Sequence, residues 1–341
     1  MHFPPSCGVL VAVGAQVTTE LHPPAGRSGA DGLRELLASD RLLRIAGVHD
    51  ALGARLAVSA GFPALWSSGL GICCSRGVPD CSTLPCHAFA DAARTIAQAA
   101  PVPVLADADS GFGGAEAVGL AVHAFEAAGA AGICVEDAPY PKRNSFLPGE
   151  HPLVEVADFV AKLRAALAAR QHASFVIVAR TEALIGGRGL DEALARCRAY
   201  ADAGADLVIP HSRASSVEEV MGVARRWDRP VPLGLIPTTY PELNDRYHDA
   251  DLLAFGIKVL IYANQGLRAA VQAQSSAFRA MLDGGSASPL EAYIASVSQV
   301  VSLFAQPIVE TGQVSDHAEA ERRGEPRGAG AALPTSTRAS S

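Results

Sequence analysis

The stretch Glu136-Asp137-Ala138-Pro139-Tyr140-Pro141-Lys142-Arg143-Asn144-Ser145 follows directly on the apolar run Ala130 to Val135. It brings two carboxylates, a lysine and an amide to the loop where a strand would end. Groups of these types can hold a metal, grip an anion and polarise a carbonyl. Trp66-Ser67-Ser68-Gly69-Leu70, Asp80, Asp107-Ala108-Asp109-Ser110-Gly111, Arg180 and His211 also sit at or just after the ends of apolar runs. Polar groups placed repeatedly after strands describe the mouth of a barrel.

Asp107 and Asp109 lie two residues apart at the end of Val102-Pro-Val-Leu-Ala, so in a strand they share a face, and Ser110-Gly111-Phe112-Gly113 permits a tight turn after them. Glu136 from the next strand completes a cluster of carboxylates with no cation close in sequence. Such hard oxygen ligands suit Mg²⁺, often held through waters together with a substrate oxygen. A set of helix caps and surface carboxylates is the plainer alternative.

Arg180 closes Phe175-Val-Ile-Val-Ala, and His211 closes Leu207-Val-Ile-Pro. Arg is a fixed planar donor for phosphate or carboxylate, and with His211 on a neighbouring strand it would form an anion clamp. A lone histidine after a strand is more often a satisfied structural group. Lys142, Arg143 and Asn144 lie in a segment punctuated by proline and glycine, which is either a lid over the site or a rigid surface connection. Asp80, in Gly77-Val-Pro-Asp-Cys-Ser-Thr, is either a helix cap or a carboxylate facing a substrate.

The elements that must position these groups are legible from about residue 35 to 310, where short β-branched runs alternate with Ala-rich helical stretches. The strand candidates are Leu43 to Val48, Ala64 to Trp66, Val102 to Ala106, Gly132 to Glu136, Phe175 to Ala179, Leu207 to Pro210, Pro232 to Ile236 and Lys258 to Ile261. Eight strands separated by helices favour a closed (β/α)8 TIM-type barrel, assigned here to residues 35–315. Ala127-Ala-Gly-Ala-Ala-Gly-Ile and Ala201-Asp-Ala-Gly-Ala-Asp-Leu-Val repeat one pattern of helix stop, glycine and strand start. Residues 1–34 lack clear periodicity and read as an extension. Residues 316–341, with almost no large apolar side chains, read as a disordered tail.

Composition fits one sizeable core: 49% of 341 residues are hydrophobic and the mean hydropathy is +0.19. A formal charge of −7 and no Lys/Arg-rich block argue against a nucleic-acid partner. Seven cysteines without CxxC pairs, no basic leader and no run near the roughly 20 apolar residues of a membrane span suggest a reduced, cytoplasmic protein.

Together these residues resemble the phosphoenolpyruvate mutase branch of the isocitrate lyase superfamily, over about Arg44 to Ile308. The family motifs are a Trp-x-Ser-Gly-Leu turn, a Gly-x-x-Asp-Ser/Cys loop, an Asp-Ala-Asp-x-Gly-Tyr/Phe-Gly strand end and a Glu-Asp-Lys-x-x-x-Lys-x-Asn-Ser lid. They read here as Trp66 to Leu70, Gly77 to Cys81, Asp107 to Gly113 and Glu136 to Ser145. The resemblance implies that Ser68, Gly69 and Leu70 hold a pyruvyl carboxylate beside Trp66. It implies that Asp107 leads Mg²⁺ binding, with Asp109 and Glu136 reaching the ion through water. It further implies that Arg180, His211 and Asn144 grip a phosphoryl group, that Lys142 belongs to the gating loop and that Asp80 organises the reacting groups. The implied assembly exchanges the last helix between subunits, with dimers pairing into tetramers.

The implied reaction interconverts phosphoenolpyruvate and phosphonopyruvate, the carbon–phosphorus step of phosphonate biosynthesis, with hydrolysis of phosphonopyruvate as the alternative. The carbon–carbon lyases of the superfamily carry Lys-Lys/Arg-Cys-Gly-His in the lid. Here the run is Lys142-Arg143-Asn144-Ser145-Phe146, so the cysteine that donates their proton is missing. The hydrolases generally have threonine where Asn144 stands. A noncatalytic barrel is hard to reconcile with this full set of groups. Ala138 departs from the pattern, because the family usually has lysine directly after Glu-Asp.

Overall fold

The computed structural model describes residues 29–304; the 316–341 tail and most of the 1–34 extension lie outside them. A first helix, α1 (Gly29–Ala38), starts inside the stretch read as an extension. Leu33 of α1 is buried among residues of the barrel interior. Arg34 ties the helix down, with Nη1 2.8 Å from Asp206 Oδ1 and Nε donating to Ser174 O at 3.0 Å. These partners precede strands, so α1 closes the end opposite the strand C-termini.

Eight parallel strands follow, each hydrogen-bonded to the next and the last to the first, as a closed barrel. They are β1 (Leu43–Val48), β2 (Ala64–Ser67), β3 (Val104–Asp107), β4 (Gly132–Glu136), β5 (Val176–Thr181), β6 (Leu207–Pro210), β7 (Leu233–Leu235) and β8 (Ile257–Tyr262). The expected barrel is present, and β1, β4 and β6 have the bounds read from sequence. β3 begins two residues later than expected, since Pro103 has no N–H to give to a ladder. Helices α2 (Ala51–Ser59), α3 (Gly69–Ser75), α4 (Cys86–Ala99), α5 (Ala115–Ala127), α6 (Val156–Ala169), α7 (Gly189–Asp202) and α8 (Glu218–Ala224) form the connections up to β7. The short helices α9 (Leu243–Arg246) and α10 (Asp249–Ala254) lead into β8.

Side-chain alternation along the strands positions the site. Ile133 and Val135 of β4, Ile177 and Ala179 of β5, and Ala106 of β3 pack outward against the helices. Leu105, Cys134, Val176, Val178, Leu207 and Ile209 point inward and fill the barrel. Continuing the inward set by two residues reaches Asp107, Glu136, Arg180 and His211. The ladder register places Glu136 beside Arg180 on the adjacent strand. The polar groups at the mouth are the core positions carried one step past the core.

After β8, α11 (Gln265–Gly284) buries none of its residues, and Val271, Phe278 and Leu282 on it are exposed. The last helix among the described residues, α12 (Val297–Ser302), carries exposed Val297 and Val301. Among the described residues no helix is long and apolar enough to cross a membrane.

Candidate active site

A cavity partly open to solvent, of about 490 Å³, lies at the C-terminal ends of the strands. Trp66, Ser68, Leu70, Asp80, Asp107, Lys142, Asn144, Arg180 and His211 line it. Asp109 and Glu136 stand behind this wall, almost fully buried. Gly69 is the first residue of α3, directly after the single residue, Ser68, that joins it to β2. A Cβ there would fall 2.9 Å from Asp107 Oδ2 and 3.1 Å from the Phe89 ring, so only glycine lets this backbone approach Asp107. Ser68 caps α3, its Oγ accepting from Gly71 N at 3.3 Å.

The carboxylate cluster exists, and cations that sequence proximity did not supply stand within it. Lys142 Nζ reaches back from the loop after β4 to lie 2.6 Å from Asp109 Oδ1 and 2.9 Å from Asp80 Oδ1. Arg180 pairs with Glu136 through Nη2 and with Glu182 Oε1 through Nε at 2.9 Å. Sequence distance hid this, because the loop folds back over the strand ends. Burial dominates the electrostatics of Asp109 and pushes its carboxyl up to about 6 against the pull of Lys142. Burial also disfavours the Lys142 ammonium, yet the charges of Asp109, Asp80 and Asp107 raise it well above its ordinary value. Lys142 is therefore a fixed cation at neutral pH.

The donor set suits a hydrated divalent cation. Asp107 faces the cavity, with Oδ1 accepting from Asp109 N at 3.1 Å. Both Asp109 carboxylate oxygens and Glu136 Oε2 are buried without a hydrogen bond of good geometry. The carboxylates of Asp80, Asp107, Asp109, Glu136 and Glu182 outnumber the cations Lys142 and Arg180. Among the described residues no three potential ligands converge tightly enough to cage an ion directly. Mg²⁺ does not need such a cage, since it keeps several waters and takes one or two carboxylates. Asp107, Asp109 and Glu136 are the residues that would hold it.

The three clamp residues all line the cavity, and each carries a carboxylate partner. Asn144 Nδ2 donates to Asp80 Oδ2 at 2.7 Å. His211 Nδ1 lies 2.8 Å from Glu182 Oε1, and Phe146 packs edge-on to the His211 ring. Glu182, which the sequence reading missed, also accepts from Ser145 Oγ at 2.7 Å. Burial opposes the charge on Glu182, but His211 and Arg180 together hold its carboxyl far below the usual carboxylate range. Its signal was available, since Arg180 and Glu182 are two apart at a strand end. Thr238 and Asn264, which follow β7 and β8, line the cavity as well. Each presents a buried side-chain oxygen without a hydrogen bond.

Asp137 turns away from the cavity. It accepts from Thr181 Oγ1 at 2.8 Å, Glu182 N at 2.8 Å, Tyr200 OH at 2.7 Å and Arg196 Nη1 at 3.1 Å. Val154 N donates to its carbonyl at 3.0 Å, which pinches the two ends of the 138–153 loop together. Arg213 Nη1 then holds that loop through Ser145 O at 2.9 Å and Leu147 O at 3.0 Å. Ala138 does not face the main cavity. It borders a second one of about 320 Å³, partly open to solvent, together with Arg143, His151 and Glu182.

A parallel barrel with a carboxylate, lysine and arginine mouth under a long loop after β4 defines a class of barrel enzyme that comparison with known proteins narrows. The phosphoenolpyruvate phosphomutase family model matches residues 33–282. The chain belongs to that family, within the phosphoenolpyruvate mutase and isocitrate lyase superfamily of enzymes. It is 39% identical to a phosphonopyruvate hydrolase of Variovorax sp. (strain Pal2), over 80% of this chain and 93% of that protein. The crystal structure of a phosphoenolpyruvate phosphomutase from Streptomyces platensis subsp. rosaceus superposes with a TM-score of 0.77 at 44% identity, covering 81% of this chain and 94% of that one. A phosphonopyruvate hydrolase solved with oxalate and Mg²⁺ gives a TM-score of 0.74 at 38% identity, covering 80% and 94%.

Proposed function

We propose that the chain is a Mg²⁺-dependent phosphoenolpyruvate mutase, an isomerase that interconverts phosphoenolpyruvate and phosphonopyruvate in phosphonate biosynthesis. The observation that carries the reading is Asn144, an amide held in the cavity by Asp80 on a loop that has no cysteine. Mg²⁺ held at Asp107 would supply positive charge against the enolate oxygen of pyruvate. The Ser68 hydroxyl and the backbone at Gly69 and Leu70 hold the pyruvyl carboxylate against Trp66. Arg180, His211 and Asn144 hold the phosphoryl group between the enol oxygen it leaves and the enolate carbon that takes it up. Donors fixed in advance around a loose, dissociative phosphoryl group are what such a transfer requires. Lys142 keeps Asp80 and Asp109 in place, and the 138–153 loop excludes water.

Hydrolysis of phosphonopyruvate to pyruvate and phosphate is the second reading, favoured by the 39% identity to the Variovorax hydrolase. The exposed apolar side chains on the helices after β8, α11 and α12, support exchange of the last helix between subunits. The test of the activity is ³¹P NMR of the purified chain with phosphonopyruvate and Mg²⁺, with and without EDTA. Metal-dependent phosphoenolpyruvate supports the mutase, and inorganic phosphate appearing with pyruvate overturns it in favour of the hydrolase.

A further inference from the structure

Glu182 extends the inward-facing set of β5 by two residues beyond Arg180, and it is 3% exposed. Arg180, His211 and Ser145 all line the main cavity, whereas Glu182 stands behind them against the second one. One carboxylate thus joins a strand-end arginine, the histidine after the next strand and a serine of the loop that covers both. Its backbone N–H is pinned by Asp137 Oδ1, so the carboxylate has a fixed origin. Nothing else in the site meets all three.

We propose that Glu182 is the positioning residue of the phosphoryl clamp: it aims Arg180 and His211 at one point and locks Ser145 to them when the loop covers the cavity. The inference rests on the phosphoryl-transfer reading of the site. Three consequences of the geometry support it. Ion-paired through Nε with Glu182, at 2.9 Å, and through Nη2 with Glu136, the guanidinium keeps its Nη1 donors for a ligand. An ionised carboxylate is acceptor-only, so the Nδ1–H of His211 is committed to Glu182 and its Nε2 is the nitrogen left for the cavity. Ser145 can donate to Glu182 Oε2 only with the loop in place, which couples closure to the clamp's order. A clamp that lost this anchor would hold the phosphoryl group loosely and let water compete with the enolate carbon for it.

The test compares full-length wild type, Glu182→Gln and Glu182→Ala with phosphonopyruvate and Mg²⁺, following phosphoenolpyruvate and phosphate by ³¹P NMR and folding by thermal melting. Glutamine keeps the volume and one acceptor oxygen but loses the charge. The expected result is a fall in kcat of about a hundredfold, the scale of a misplaced catalytic group. KM should change little, and the ratio of phosphate to phosphoenolpyruvate should rise several-fold. Glu182→Asp, which keeps the charge on a shorter stem, should recover part of both. A Gln variant with wild-type kcat and product ratio overturns the proposal. So does a Gln variant that fails to fold, because Glu182 would then serve the fold and not the clamp. Wild type that yields phosphate alone defeats the mutase reading but leaves Glu182 to be judged on the rate of phosphate release. Wild type that forms neither product defeats both.

Discussion

Lys142 Nζ lies 2.6 Å from Asp109 Oδ1, deep under the mouth of the barrel, with both side chains almost fully buried. The same ammonium reaches Asp80 at 2.9 Å, so one cation holds two acids that would otherwise repel each other. The loop after β4 is fastened through a charge it supplies to the strand-end cluster.

That arrangement predicts the behaviour of Lys142→Met. Removing one partner of a buried ion pair strands the remaining charge, at a cost of about 3–5 kcal/mol. The variant should lose about that much stability in urea unfolding without metal. Mg²⁺ should restore more stability to the variant than it adds to wild type, since the freed carboxylates favour a cation. Equal Mg²⁺ stabilisation of both proteins would mean that Lys142 and the metal do not share these carboxylates.

Of Asp107, Asp109 and Glu136, Asp107 is the one that lines the cavity, and the backbone at Gly69 crowds against it. Asp107→Ala should lower kcat by at least about a hundredfold, the scale of a lost electrostatic group. The rise in melting temperature on adding Mg²⁺ should disappear with it. An active variant with an unchanged Mg²⁺ requirement would remove Asp107 from the metal site.

Asn144→Thr separates the two phosphoryl readings. The amide donates to Asp80 at 2.7 Å, and its Oδ1 accepts from Phe146 N at 2.9 Å. Threonine is too short to span both. Phosphoenolpyruvate formation should be lost while phosphate release persists or grows, with little change in melting temperature because the side chain is half-buried. Undiminished mutase turnover in the ³¹P assay would sink the role given to this amide.

Burial works against charge on Glu182, but His211 and Arg180 hold its carboxyl far below the ordinary value of 4.5. A depressed carboxyl contributes stability that is fully present above the unfolded value and is lost as pH falls below it toward the folded one. Wild type should therefore lose stability steadily on acidification below about 4.5, the ordinary glutamate value. Glu182→Gln, having no such proton to take up, should lose less, so the gap between the two proteins narrows as pH falls. Urea unfolding at neutral pH and at pH values below that point measures this gap. A gap that stays constant would mean that Glu182 is not charged in the folded chain.

The barrel was legible because its signal is local. Apolar runs bounded by glycine and proline mark the strands, and β4 and β6 end where their apolar runs meet Glu136 and His211. Asp107, Arg180 and His211 could be placed at the mouth for the same reason, being the next residues of one strand face. Partnership was not legible. Asp137 and Glu136 are neighbours in sequence with opposite fates, one holding the loop's base and the other facing Arg180, and strand alternation separates them only once the inward face is known. Lys142 among the acids, and Glu182 behind Arg180, depend on how a loop of irregular conformation folds back, which no periodicity encodes. α1 was missed although Leu33, Leu36 and Leu37 fall at helical spacing on its inner face, because it is one short helix outside the alternation of strands and helices.

Ala138 stands at the start of that loop and borders the second cavity together with Glu182. A lysine at 138 would have room to extend through this space and bring an ammonium to the outer side of the Glu182 carboxylate. Its charge would tie the loop's first residue to the anchor of the clamp, adding to the Ser145 tie at the loop's far side. Ala138→Lys should therefore favour the covered state, lowering KM for phosphonopyruvate or raising turnover, and should reduce the phosphate released per phosphoenolpyruvate formed. Steady-state kinetics with ³¹P product analysis checks this. Unchanged kinetics and product ratio would mean that Arg213, through Ser145 O and Leu147 O, already holds the loop as firmly as the reaction needs.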